Sequence, residues 1–189
     1  MKTIKMNASL LIILLATLSY SCSVPNSNSP NSEKNEYVMP DFTKAICVLY
    51  PTEGYDAMGT VEFTQTDSGM VVSIKLKGLS PGKHGFHIHQ YGDCSAPNGT
   101  SAGGHYNPEN EPHGAPTDFK RHIGDLGNVT ANENGEVVKT VLDPKLTFYG
   151  KNSIIGRGII VHKDEDDLKT QPTGNAGPRI ACGVIGVRK

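Results

Sequence analysis

The segment KHGFHIHQYGDCSAPNGTSAGGHYNP, residues 83–108, decides how the chain reads, because it holds four of the seven histidines. Side chains on a β-strand alternate faces. In GFHIH, therefore, His87 and His89 project to one side, while His84, Phe86 and Ile88 project to the other. Phe86 and Ile88 give that second face an apolar anchor, and two imidazoles lie next to each other on the first. A third histidine, His105, follows a loop built on Gly92, Gly99, Gly103 and Gly104. Such residues let a backbone fold back on itself, so the loop is able to return His105 to the pair. A lone histidine is ordinarily a packed or surface residue. Two on one strand face with a third on a glycine-rich return point instead to metal ligation.

On either side of this segment the chain lacks 3.6-residue periodicity. It carries short runs rich in β-branched and apolar residues at 42–50, 60–66, 70–76, 85–91, 126–131, 136–142, 158–162 and 181–187. Thr66-Asp67-Ser68-Gly69 reads as a hairpin turn between the second and third, and Asn132-Glu133-Asn134-Gly135 as one between the fifth and sixth. Eight short strands with turn signals and no helix predict an all-β antiparallel sandwich or barrel. Two connections, 92–125 and 163–180, are too long for hairpins, and long ordered loops in a compact domain are usually functional.

The first long loop contains His105, His113, His122 and Asp125. Three imidazoles and a carboxylate form a four-coordinate set suited to zinc, and closure by protein groups makes it structural rather than catalytic. HIGD also fits a turn cap facing solvent, so His122 and Asp125 are ambiguous alone. His87 and His89 nearby shift the balance, because imidazole-only ligation suits copper. His162, at the end of GRGIIVH, offers a further nitrogen. A His105 that faced both groups would bind two metals through its two ring nitrogens, which requires a deprotonated ring.

The four cysteines separate by context. Cys22 lies at the end of the N-terminal apolar segment, and Cys47 alternates with apolar neighbours inside the first strand, where it reads as an inert core thiol. Cys94 and Cys182 are left, and in an exported protein they are expected to pair. That bond would tie the metal-bearing loop to the last strand across about 90 residues, contributing roughly 4–5 kcal/mol in the chain-entropy view.

Export is itself a reading of the first residues. Lys2 and Lys5, then the apolar run 8–18, form the charged and apolar parts of a secretory signal too short to span a bilayer. Leu18-Ser19-Tyr20-Ser21-Cys22 resembles a bacterial lipoprotein processing box with Cys22 acylated, although Ser19 stands where an apolar residue is usual. Residues 22–40 then have almost nothing to bury and read as a tether. The expected organisation is a signal at 1–21, a lipidated N-terminus and tether at 22–40, and one domain at 41–189, anchored in the cell envelope and facing the periplasm or exterior. Losing Lys2 and Lys5 with the signal takes the formal charge from −1 to −3. With no basic run or aromatic-basic interleaving, nothing suggests nucleic acid. Asn98-Gly99-Thr100 fits a glycosylation sequon, a pattern common in loops.

GFHIH, GGHYNP, RHIGDLGNVTA, GRGIIVHKDEDD and GNAGPRIACGVIG, in this order and over nearly all of 42–189, closely resemble the copper-zinc superoxide dismutases. The resemblance implies a Greek-key, eight-stranded antiparallel β-sandwich or barrel with two long functional loops. It makes His87, His89, His105 and His162 the copper ligands, and His105, His113, His122 and Asp125 the zinc ligands, with His105 as the bridge. His84 matches a family histidine that is not a ligand. Arg179 matches the arginine that attracts and orients superoxide, Thr173 a threonine lining the channel, and Asp166 the aspartate that hydrogen-bonds His87 and His113. Without the resemblance, DEDD reads as an ordinary solvated acidic run. The implied activity is conversion of superoxide to dioxygen and hydrogen peroxide at a copper that cycles between two oxidation states, and a homodimer is compatible with it.

The chain departs from animal members in places. Cys94 directly follows GD, and the segment between His162 and Arg179 is shorter and mostly acidic near His162. A cleft lined by positive charge focuses an anion, a behaviour for which this family is itself an example. Here Lys163, Lys169 and Arg179 are the obvious contributors. Pro178 stands where those members have a small polar residue. The alternative function is copper storage, or a chaperone-like role, without turnover. Against it stand the complete ligand set, Arg179, and a sequence free of Cys-x-x-Cys and Cys-x-Cys pairs.

Overall fold

The computed structural model describes residues 42–189. The expected signal at 1–21, and Cys22 with the expected tether at 22–40, lie outside the described residues. The strands are β1 (Lys44–Pro51), β2 (Met58–Thr66), β3 (Gly69–Lys77), β4 (Gly82–His89), β5 (Asp125–Ala131), β6 (Val137–Asp143), β7 (Gly158–His162) and β8 (Arg179–Val187). Besides them, the described residues contain only short 3₁₀ turns at Thr100–Ala102 and Gly150–Asn152. Alternation explains the strands: in β3, Met70, Val72, Ile74 and Leu76 are buried while the residues between them are not. Buried Ala45, Cys47 and Leu49 of β1, Val61 and Phe63 of β2, and Phe86 and Ile88 of β4 join the same core.

All the ladders are antiparallel, in the order β5-β4-β7-β8-β1-β2-β3-β6. The β3–β6 and β4–β7 neighbours are not consecutive in the chain, so the connections cross over, and the sheet curls into a nearly closed barrel. Thr66 pairs with Gly69 across Asp67-Ser68, forming the expected hairpin.

The second expected hairpin differs. Asn132 caps its turn by accepting from the Asn134 and Glu136 amides, yet β5 and β6 share no ladder. β5 is committed to β4 and β6 to β3, so the barrel stays open at this seam. Lys139 Nζ spans it with a 2.8 Å hydrogen bond to the Asn128 carbonyl.

β4 also ends at His89, two residues earlier than its composition suggests. The returning loop replaces the ladder there: the Gln90 amide donates to Gly104 O, the Tyr91 amide to Ala102 O, and His89 forms an isolated bridge with His105. This is how the glycine-rich loop brings the third histidine beside the first two. Cys94 and Cys182 are joined by a disulfide, with 5.8 Å between their Cα atoms, so the loop is also pinned to β8. Cys47 is free and buried, and burial pushes its thiol up to about 12.

Candidate metal centre

Two groups of buried side chains converge beside the β4–β7 pair and the first long loop. His87, His89, His105 and His162 form one, and His105, His113, His122 and Asp125 the other. In each group the ligand-type atoms lie within 4.8 Å of one another, and His105 belongs to both. The rings of His87 and His105 are 4.0 Å apart, and those of His87 and His162 5.1 Å.

Hydrogen bonding fixes which nitrogens carry protons in the first group. His89 Nδ1 is 3.0 Å from Gly103 O, and His162 Nδ1 is 3.1 Å from Gly177 O. A carbonyl only accepts, so both Nδ1 atoms donate, and in a neutral ring Nε2 keeps a lone pair. The two Nε2 atoms nevertheless face each other at 3.4 Å. His87 donates through Nε2 to Asp166 Oδ2 at 2.8 Å, and His105 points Nδ1 at Asp125 Oδ1, also at 2.8 Å. Their remaining nitrogens, His87 Nδ1 and His105 Nε2, are buried without a hydrogen-bond partner. Four lone pairs thus converge with no proton between them, an arrangement that a cation satisfies.

The charge states agree. Burial lowers the pKa of His87 against the pull of Asp166, and lowers that of His89 well below the ordinary range with help from His105 and His162. Burial likewise takes His105 to about 4 and His162 to about 3. All four rings are neutral at pH 7 and ready to ligate.

The second group is built differently. His105, His113 and His122 place Nδ1 at 2.8, 3.0 and 3.2 Å from one oxygen of Asp125. Tetrahedral zinc with bonds of about 2.0–2.1 Å separates its donor atoms by roughly 3.3 Å, so the set needs little adjustment to hold that ion. The other Asp125 oxygen accepts from the Gly114 and His122 amides. Burial disfavours a charged Asp125, but bonds from His105, His113 and His122 outweigh this and hold it far below the usual carboxylate range. His113 has carboxylates at both nitrogens: Asp166 Oδ1 lies 2.9 Å from its Nε2. Burial would lower its pKa, yet Asp125 and Asp166 together hold it at about 9. Asp166 therefore spans both groups, touching His87 of one and His113 of the other.

The other expected residues fall around this centre. His84 sits outside both groups, its nitrogens against the carbonyls of His162 and Ser80. Arg179 lies opposite His162 in the β7–β8 ladder and donates to Gly99 O and Gly103 O, each at 2.6 Å. Gly103 O thus serves Arg179 and His89 together. Burial lowers the pKa of Arg179 from its ordinary value, without threatening its charge. Thr173 is half-buried on the second long loop, and Lys163 and Lys169 are exposed.

Three contributors are not singled out by the sequence. Arg121 is buried, donates to carbonyls of Pro116, His122 and Asp125, and pairs with Asp143 at 2.5 Å. Gln171 clamps the His113 main chain with two side-chain bonds. Asn128 does the same to Asp166. Only Asn128 had a local signal, the glycine before it in a strand, which often marks a bulge.

A curled Greek-key β-sheet that carries an all-imidazole pocket and a three-imidazole, one-carboxylate pocket sharing one ring defines a dinuclear metalloprotein. The family model described as copper/zinc superoxide dismutase matches residues 57–185. The chain is 40% identical over 185 residues to the extracellular copper-zinc superoxide dismutase of Brugia pahangi, covering 90% of this chain and 92% of that one. The crystal structure of the clock protein EA4 superposes with a TM-score of 0.73 at 41% identity, over 79% of this chain and 98% of that one. The chain belongs to the copper/zinc superoxide dismutase family. It is an enzyme that converts superoxide to dioxygen and hydrogen peroxide, with copper and zinc as cofactors.

Proposed function

We propose that His87, His89, His105 and His162 hold the copper, that His105, His113, His122 and Asp125 hold the zinc, and that Asp166 sets the ring orientations of His87 and His113. The observation that carries this reading is the convergence of His87 Nδ1, His89 Nε2, His105 Nε2 and His162 Nε2 as unprotonated nitrogens. Copper, when bound, supplies a one-electron couple that takes an electron from one superoxide and returns it to a second. The chain's own residues do the rest. Arg179 offers its remaining N–H donors to the anion, because the Gly99 and Gly103 carbonyls occupy only part of its five-donor fork. His105, when its Nε2 is not holding copper, would accept one proton there and pass it to the departing peroxide, whose second proton would come from water. Thr173 lines the approach, and Asp125 with its three histidines holds the first long loop closed.

The test is metal content and superoxide consumption of the copper- and zinc-loaded protein. His162→Ala should lose dismutation while keeping its zinc and its fold, and a fully active variant would sink the copper assignment. Two bound metals without turnover in the unaltered protein would favour storage. Arg179→Gln should lower kcat/KM and flatten its salt dependence; an unchanged salt dependence would remove anion guidance.

We also read the enzyme as exported and lipid-anchored through Cys22, with residues 22–40 as the tether, protecting the cell envelope from superoxide. The disulfide suits an oxidising compartment, and the Brugia pahangi relative is named as extracellular. An acyl group on Cys22 found by mass spectrometry would support the anchor, whereas a free, unmodified N-terminus would refute it. A homodimer through the outer face of β1 and β8 is supported by Val48, Tyr50 and Val184, which are 43%, 67% and 41% exposed.

A further inference from the structure

We propose that Asn128 is a positioning residue for both metal centres, acting through Asp166, and that a β-bulge at Gly127 turns it toward them. The inference rests on the role assigned above to Asp166.

In the β4–β5 ladder Asn128 lies opposite Gly85 and Asp125 opposite His87. Three steps along β5 therefore face two along β4, so β5 carries one extra residue. Gly127 is that residue: its φ of +70° lies in the left-handed region, and a Cβ there would stand 2.8 Å from Pro116 Cγ. The bulge reverses the alternation. Leu126 and Val129, three apart, both face the core, so Asp125 and Asn128, also three apart, share the opposite face. In an uninterrupted strand Asn128 would point inward with Leu126.

On that face Asn128 grips one residue from both sides. Its Nδ2 donates to Asp166 O at 2.9 Å, and its Oδ1 accepts from the Asp166 amide at 2.8 Å. The carboxylate of the gripped residue is the one that reaches His87 Nε2 at 2.8 Å and His113 Nε2 at 2.9 Å. Asp166 lies on a loop, outside every ladder. The Gly85 amide of β4 holds that loop at Asp164 O and the Leu168 amide donates to Asp166 Oδ1, while Asn128 is the strand side chain that grips the Asp166 main chain itself. Asn128 is in turn held through its own carbonyl by Lys139 of β6. Asparagine is disfavoured in strands, and this position gives it work that a better strand former would not do.

The experiment uses the full chain with Asn128→Ala, Asn128→Asp, Asp166→Ala and the Asn128→Ala/Asp166→Ala double variant. Three quantities are read: zinc retention against a chelator, the Cu(II) electron paramagnetic resonance spectrum, and the melting temperature of the metal-free protein. Asp166→Ala should weaken zinc retention by about ten- to a hundredfold, the usual cost of losing an outer partner of a metal ligand. Asn128→Ala, which acts through Asp166, should weaken it in the same direction by a smaller factor and alter the copper spectrum through His87. Asn128→Asp preserves size and fold but removes the Nδ2 donor, so it should show the same two changes. The double variant should match Asp166→Ala.

Zinc retention and a copper spectrum like the unaltered protein's in both Asn128 variants, beside a weakened Asp166→Ala, would overturn the inference. So would losses that multiply in the double variant, or a lowered melting temperature with an unchanged copper spectrum. An Asp166→Ala protein that keeps its zinc and its spectrum would instead remove the underlying role of Asp166, and the inference with it.

Discussion

Replacing Arg121 by Met tests whether a single buried cation organises the zinc-side loop. The side chains of Arg121 and Asp143 are 1% and 5% exposed, and the pair is 2.5 Å apart. Methionine preserves most of the aliphatic packing, so the loss isolates the guanidinium. Breaking a buried pair by removing one partner costs about 3–5 kcal/mol, because the other charge is left uncompensated. Asp143 Oδ1 still accepts from the Lys145 and Leu146 amides, which moderates its penalty. The carbonyls of Pro116, His122 and Asp125 lose the Arg121 donor, which adds to the cost, although His122 O keeps the Asp125 amide.

A total of about 4 kcal/mol follows, or a fall in Tm of about 10 °C for a domain of this size. Calorimetry on the metal-free, disulfide-intact protein measures it. Arg121→Met/Asp143→Leu removes both charges and should recover at least half of the loss, as apolar replacements of buried pairs generally do. A single variant that costs less than about 1 kcal/mol would refute the reasoning, because the pair would then behave as a surface one. A double variant worse than the sum of its parts would refute it too.

Gly174→Ala should be more damaging to metal retention than its size suggests. Gly174 has φ +67°, and a Cβ there would fall 1.8 Å from Asp166 Oδ1 and 2.6 Å from His113 Nε2, so zinc competition against a chelator should show a loss of at least about tenfold. The metal-free protein should be most stable near pH 6.5. His89, His105 and His162 have folded-state pKa values depressed by burial, His105 to about 4 and His162 to about 3, so the unfolded chain binds more protons and stability falls as pH drops below about 6.5. His113, raised to about 9, contributes stability that is complete below about pH 6.5 and is lost as pH rises through 9. Denaturation midpoints across pH 4–9 check both slopes, which bound metal should flatten by excluding protons from the same nitrogens; a monotonic profile would contradict the assignment. Val48→Lys should shift a homodimer to monomer in light scattering without loss of activity, and an unchanged mass would remove the β1–β8 face as the interface.

Much of the barrel and half of the centre were legible because they obey local periodicity. Alternation in GFHIH separates His87 and His89 from Phe86 and Ile88 with no knowledge of the rest of the chain, and seven of the eight runs needed only small changes at their ends. The remainder depended on contacts that periodicity does not encode. Asp166 reaches His87 across 79 residues, and only the family resemblance pointed to it. The turn at Asn132 has the right chemistry, yet its strands part because each already has a partner.

The deepest gap concerns the protons. The tautomers of His89 and His162, and hence which nitrogens can ligate, are set by the carbonyls of Gly103 and Gly177. A carbonyl belongs to every residue type, so no side chain advertises that role. Asn128 shows the complementary limit: its side chain is informative, but the alternation rule aims it at the core until Gly127 is recognised as an extra residue. The proposed metal ligands are readable from residue types because metals select donors. The residues that orient those ligands work through main-chain groups and register, and only the folded chain reveals them.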